Sequence, residues 1–279
     1  MSRRILLCSD LDRTLLPNGF QPESPQARPL LRRLAEHPDI TLAYVSGRHL
    51  ALIEAAIEEY ELPLPDFAVG DVGTRIYRRD RDSWRVWEQW SQHIAPDWVG
   101  HAREELAQWL DDLDGIALQE AEKQSRFKLS YYAAHDIDHA ALLAEMQRRL
   151  QARGVNAGLI WSVDETTATG LLDVLPAAAT KVGAVRFLMV ELGFEESNTV
   201  FAGDSGNDLP VLISGIPAVL VANATDEVRA DAEWGLQQAA GANRLYCATG
   251  GFRGMNGNYA AGVLEGLLHF HPGLEDWLR

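Results

Sequence analysis

Near the start of this 279-residue chain, Asp10-Leu11-Asp12-Arg13-Thr14 follows a short apolar run. The carboxylates of Asp10 and Asp12 point the same way if the backbone stays extended. One can attack phosphorus while the other moves protons on and off the departing and attacking oxygens. Much later, Gly203-Asp204-Ser205-Gly206-Asn207-Asp208 sets two carboxylates four residues apart in a glycine-containing turn. Hard oxygen ligands suit Mg²⁺, and these reach the same ion as Asp10 once the two segments lie side by side. An EF-hand would need further acidic positions and a closing Glu, which the stretch lacks. Between them, Ser46-Gly47-Arg48 offers a hydroxyl and free backbone amides to phosphate oxygens. Lys181 offers a fixed cation in the first turn of a helix that Thr180 caps. Taken singly, each has a plain structural alternative: a surface turn, an ordinary N-cap, a solvated lysine.

What joins these groups is the rhythm of the elements beneath them. Ile5 to Cys8, Ile40 to Val45, Phe67 to Gly70, Thr199 to Gly203 and Ala218 to Ala222 read as buried strands. Helical spacing follows the first at Leu30, Leu31 and Leu34, with the firm part starting at Pro29, and follows the second at Leu50, Ile53 and Ile57. A further strand at Leu171 to Leu175 leads into a helix over Thr180 to Leu192, stopped by Gly193. This alternation predicts an α/β, Rossmann-like doubly wound parallel sheet, whose ligands gather beyond the carboxyl ends of the strands. Each motif above sits at such an end.

The charged run Arg78 to Asp82 reads as a connection to a second module. There, helical spacing at Ile94 to Leu113 and Ile137 to Leu150 interleaves with strands at Phe127 to Tyr132 and Val155 to Trp161. The expected layout is a core of residues 1–82 and 171–279, with an α+β insert at 83–170. Six of the eight tryptophans fall in the insert, to fill its core or to stack on sugar rings. Gly250 to Gly257 reads as a mobile surface loop before a final helix.

A formal charge of −15 disfavours nucleic acid and anionic membrane surfaces as partners. A small anionic ligand remains compatible where a cation and placed basic groups reverse the local sign. Two cysteines cannot build a disulfide framework, the arginine-led start is no signal peptide, and no apolar run reaches membrane-spanning length. A soluble cytoplasmic protein is expected.

The four segments DLDRT, VSGR, Lys181 and GDSGND, in this order, resemble the haloacid dehalogenase-like phosphatase superfamily. The resemblance implies Asp10 as nucleophile and Asp12 as general acid/base. It implies Ser46, Gly47, Lys181 and Asn207 around the phosphate. It also implies Asp10, Asp12 through its backbone carbonyl, Asp204 and Asp208 at Mg²⁺, and an insert acting as the superfamily's substrate-selecting α+β cap. Within the superfamily the chain looks closest to the sucrose-6-phosphate phosphatase branch. The local matches are Val72-Gly73-Thr74, the stretch from Leu118 to Tyr131, Leu172 to Pro176, and Leu268-His269-Phe270. Arg75 stands where that branch carries Glu, and Leu171 where it carries a first Asp.

Sucrose 6-phosphate is therefore the expected substrate. Mannosylfructose phosphate, a glycosyl-3-phosphoglycerate or trehalose phosphate are the alternatives. Gln124, Lys128 and Asp173, with Arg48, are candidates for gripping sugar hydroxyls or, equally, ordinary polar residues. Asn223 either lines the site or starts a helix, and His135 and His139 read as solvent-facing. A non-catalytic sugar-phosphate sensor and a phosphomutase are the rival functions. A sugar-phosphate synthase is a candidate partner, and the protein a monomer or small homo-oligomer.

Overall fold

The computed structural model describes residues 4–81, 83–134, 136–164, 167, 169–238 and 244–278; Asp82 and His135 lie outside the described residues. In chain order the first elements are β1 (Ile5–Ser9), α1 (Ala27–Ala35), β2 (Ile40–Val45), α2 (Leu50–Glu59), β3 (Phe67–Gly70), β4 (Arg75–Asp80) and β5 (Ser83–Val86). Then come α3 (Glu88–Ile94), α4 (Arg103–Gln108), β6 (Ile116–Leu118), β7 (Leu129–Ala133), α5 (His139–Gln151), β8 (Ala157–Asp164) and β9 (Thr169–Pro176). The chain ends through α6 (Lys181–Leu192), β10 (Thr199–Gly203), α7 (Leu209–Leu212), β11 (Ala218–Leu220), α8 (Asp226–Gln238), β12 (Leu245–Cys247) and α9 (Ala260–Phe270).

Two compact units result. Residues 1–86 and 181–279 form one, and residues 87–180 the other. The first carries an eight-stranded sheet in the order β12-β11-β10-β1-β2-β3-β4-β5, parallel from β12 to β3. Every residue of β1 is buried, as a strand covered on both faces requires. Register then decides what meets at the sheet's edge. Ser9 lies opposite Ala202 on one side and Tyr44 on the other. Asp10 is therefore level with Gly203 and Val45, and Asp204 and Ser46 each follow one residue beyond.

The charged run Arg78 to Asp80 is not a connection. It belongs to β4, which pairs antiparallel with β3 and β5, and Arg81 turns the hairpin at φ 56°. Charge suits this position because β5 ends the sheet, and charged side chains blunt an exposed edge. Helix α1 starts at Ala27, so Pro29 falls in its first turn, where a missing N–H costs nothing.

The second unit carries a four-stranded antiparallel sheet in the order β6-β7-β9-β8. The strand at Leu171 to Leu175 therefore belongs here, and the boundaries expected at 82 and 170 fall at 86 and 180. Its alternating burial from Thr169 to Val174 is the mark of a half-covered antiparallel strand. The single helix expected over Ile94 to Leu113 is divided into α3, a short turn over Ala95–Trp98, and α4. Pro96 enters that turn, Val99 leaves it at φ 54° and Gly100 follows at φ 84°. Trp90 and Trp98 are fully buried and fill this unit's core. His139 is exposed and stacks on Trp161 with ring centroids 5.2 Å apart.

Candidate active site

The site begins with a strand that ends on a buried charge. Asp10 is 4% exposed, and its N–H continues the ladder by donating to the Ala202 carbonyl at 2.9 Å. Lys181, at the start of α6, brings Nζ to 3.0 Å from Asp10 Oδ1. The same ammonium donates to Asp208 Oδ1 at 2.7 Å and to Asn207 Oδ1 at 2.9 Å. Carboxylate oxygens of Asp10, Asp204 and Asp208 lie within 4.8 Å of one another, and all three residues are buried.

Asp208 is also the keystone of its own turn. Its Oδ2 accepts the backbone N–H groups of Asp204 and Ser205 at 3.1 and 3.2 Å and the Ser205 hydroxyl at 3.1 Å. This requires glycine at 203, because a Cβ there would meet Asp208 Cγ at 2.5 Å. Asp204 accepts from Thr14 Oγ1 at 3.1 Å, and Arg13 Nε stands 3.5 Å from its other oxygen.

Three carboxylates around one buried lysine leave an excess of negative charge. Burial pushes the Asp10 carboxyl up to about 7, Lys181 pulls it back and Asp208 pushes it further up. Burial and then Asp208 lift Asp204 to about 6, against Thr14, Arg13 and Lys181. Burial alone would lower Lys181, but Asp10 and Asp208 outweigh it and hold the ammonium charged. A small cation with hard-oxygen preference fits this donor set: it would offset the repulsion that raises both acids.

Asp12 faces other partners. Arg48 grips its carboxylate as a fork, Nε to Oδ2 at 2.8 Å and Nη2 to Oδ1 at 2.6 Å, and Asn18 Nδ2 donates to Oδ1 at 2.7 Å. Burial raises this carboxyl, but the Arg48 and Asn18 bonds outweigh burial and hold it below the usual range. The Asp12 side chain is thus not among the clustered carboxylates expected at the metal, and its backbone carbonyl is the atom left for that role. Arg48, a candidate for the sugar, is spent on Asp12. Ser46, buried at the end of β2, donates its N–H to Val69 O at 2.9 Å, and its Oγ accepts the Arg48 N–H at 3.2 Å. A Cβ on Gly47 would meet nothing within 4 Å, so that backbone is open to a ligand.

In the second unit, Gln124 is a backbone bracket: its Nε2 donates to the carbonyls of Gln119 and Ser130, and its Oε1 accepts the Ser130 N–H at 2.8 Å. Asp173 accepts from the Ser130 hydroxyl opposite it, and Lys128 Nζ lies 3.8 Å from Asp173. Sequence reasoning assigned no role to Thr14, Asn18 or the Arg13 side chain. Thr14 and Arg13 are visible as part of DLDRT, whereas no motif marks Asn18. Asn223 stands out in the sequence only as a residue after a strand. Its amide ties Arg13 O to the Tyr259 N–H.

Comparison with known proteins agrees with this geometry. The sequence model of the sucrose-6F-phosphate phosphohydrolase family matches residues 3–271. A protein of Nitrosococcus oceani described as a HAD-like hydrolase is 57% identical over 279 residues, covering 100% of this chain and 75% of the relative. Mannosylfructose-phosphate phosphatase of Agrobacterium fabrum is 30% identical over 266 residues, covering 95% of this chain and 96% of the relative. The structure of the sucrose-phosphatase from Synechocystis, in complex with sucrose and phosphate, superposes with a TM-score of 0.70 at 25% identity, covering 97% of this chain and 99% of that one. A strand-end carboxylate beside a lysine and a carboxylate cluster, in a chain matched almost end to end, gives one conclusion: the chain belongs to the sucrose-6F-phosphate phosphohydrolase family of haloacid dehalogenase-type phosphatases.

Proposed function

We propose that this phosphatase hydrolyses a sugar phosphate with Mg²⁺ through an aspartyl-phosphate on Asp10, and that sucrose 6-phosphate is its substrate. The observation that carries the reading is the buried Asp10 carboxylate, 3.0 Å from Lys181 and clustered with Asp204 and Asp208. An Asp10 oxygen attacks phosphorus as the bond from phosphorus to the sugar oxygen breaks. Asp12 can give a proton to that oxygen only once the Arg48 fork that holds it ionised opens on substrate binding; as the carboxylate it then takes one from the water that attacks phosphorus. Inorganic phosphate leaves and Asp10 is regenerated. Lys181 stays charged throughout and offsets charge on the transferring group, while the Ser46 hydroxyl and the Gly47 N–H face phosphate oxygens. Mg²⁺, held by Asp10, the Asp12 carbonyl and Asp204 with Asp208 in support, would supply a Lewis acid for the same charge.

Mannosylfructose phosphate is the second candidate, favoured by the relative of that name that matches at 30% identity over nearly its full length. A glycosyl-3-phosphoglycerate and trehalose phosphate complete the set, and a sugar-phosphate synthase is the class of enzyme that would supply any of them. Among the described residues no helix is long and apolar enough to cross a membrane. The proposed site of action is the cytoplasm, in keeping with free thiols at Cys8 and Cys247. The test is phosphate release from these four substrates with Mg²⁺ or with EDTA, for wild type and Asp10→Asn. Release from one of the other three above sucrose 6-phosphate overturns the choice of sugar alone. Release from sucrose 6-phosphate above the other three, lost in EDTA and in the variant, supports the reading. Full turnover by Asp10→Asn, or tight binding of a sugar phosphate without release, overturns it.

A further inference from the structure

The backbone at Arg13 is left-handed, with φ of 58°, a conformation that a long side chain keeps only where its surroundings impose it. Both ends of the residue are held. Its N–H donates to Asn18 Oδ1 at 2.8 Å, and its carbonyl accepts from Asn223 Nδ2 at 2.6 Å. Asn223 is 3% exposed, and its Oδ1 accepts the N–H of Tyr259 at 2.7 Å. Tyr259 is itself at φ 51°, so one buried amide bridges two strained peptides.

The bend separates the directions of its neighbours. Asp12 turns to Arg48 and Asn18, while Thr14 Oγ1 and Arg13 Nε reach opposite oxygens of Asp204. Arg13 Nε is buried without a hydrogen-bond partner. Only its ion pair with Asp204 at 3.5 Å acts on that nitrogen directly; the backbone bend sets where it stands.

We propose that Asn223 is a positioning residue for the cation site: by holding the Arg13 peptide in its left-handed bend, it keeps Thr14 and Arg13 on Asp204, and Asp204 aligned with Asp10 and Asp208. Asn223 acts through the loop rather than as a ligand. The inference rests on the reading of these three carboxylates as a Mg²⁺ site.

The test is calorimetric titration of the full-length protein with MgCl₂. Asn223→Ala is expected to bind Mg²⁺ about tenfold more weakly or worse, the scale set by releasing one strained residue. Asn223→Asp keeps the acceptor for Tyr259 while losing the donor to Arg13, and serves if Asn223→Ala does not fold; it is expected to weaken binding likewise. Arg13→Gly and Arg13→Ala both delete the guanidinium, but only glycine enters the left-handed region freely. The two should bind alike while Asn223 is intact. Combined with Asn223→Ala or Asn223→Asp, the Arg13→Gly variant should bind about fivefold tighter or more than Arg13→Ala. Wild type that binds no Mg²⁺ overturns the metal reading and this inference together. Wild type that binds, with both Asn223 variants unchanged or with glycine and alanine equivalent in every background, overturns this inference alone.

Discussion

At the residue scale, the site's chemistry turns on charges held where water cannot soften them. Lys181, 11% exposed, is shared by Asp10 and Asp208. Lys181→Met is expected to destabilise the metal-free protein by about 3–5 kcal/mol, the cost of leaving buried carboxylates without their partner, as measured by urea unfolding in EDTA. The raised acids set a pH dependence of definite sign. Asp10 at about 7 and Asp204 at about 6 hold protons in the folded state that the unfolded chain releases near pH 4. Between those limits the folded state binds more protons, so their contribution to stability is full below pH 4 and is lost as pH rises to about 7. In EDTA, Asp204→Asn should flatten the fall in melting temperature across pH 4 to 6 relative to wild type; an unchanged slope would contradict the assignment. Asp10 and the second acidic motif were legible in the sequence because each belongs to a spaced motif at a strand end, and Lys181 because it opens a helix after a strand. The grip of Arg48 and Asn18 on Asp12 was not, because it depends on side-chain directions across a loop whose bend at Arg13 no propensity announces.

At the element scale, strand register does the assembling. Ser9 opposite Ala202 and Tyr44 brings three strand ends level, and the first two helices and five parallel strands were legible because buried strands read as short apolar runs. The hairpin of β4 and β5 was not, because its edge charges look like a linker. The stretch from Gly250 to Gly257 has a linker's composition too, yet it is pinned rather than mobile: buried Glu265 accepts the N–H groups of Thr249 and Gly250 at 3.0 and 2.9 Å. Asn256 further ties it to Ser24 and Pro22. Gly203 gives the element-scale prediction. Gly203→Ala must push Asp208 off the turn, with an expected cost of about 1–3 kcal/mol in urea unfolding and a weaker Mg²⁺ isotherm from calorimetry.

At the scale of the whole molecule, two hydrophobic cores divide the labour. All the clustered carboxylates and Lys181 lie in the unit of residues 1–86 and 181–279, while Trp90 and Trp98 fill the other. Trp98→Ala is expected to cost about 3–5 kcal/mol in the second unit's stability, seen as an earlier calorimetric transition. Mg²⁺ affinity should stay within about twofold, because no cluster ligand belongs to that core. The insert was legible as a separate module, but its far boundary was not: β9 is apolar enough to pass for a core strand, and only antiparallel pairing reveals its home.

The central place of β1 between β2 and β10 has a consequence for how the chain is made. Ser9 waits for Ala202, 193 residues later, before its second edge is closed. At roughly 5–20 residues per second, a ribosome needs about 10–40 s to deliver that partner. Through that interval a fully buried-type strand leading into Asp10 keeps one open edge, a template for pairing with the wrong chain. Catalytic competence therefore arrives late in synthesis, and the newborn chain is most in need of a chaperone while one edge of its first strand is still open.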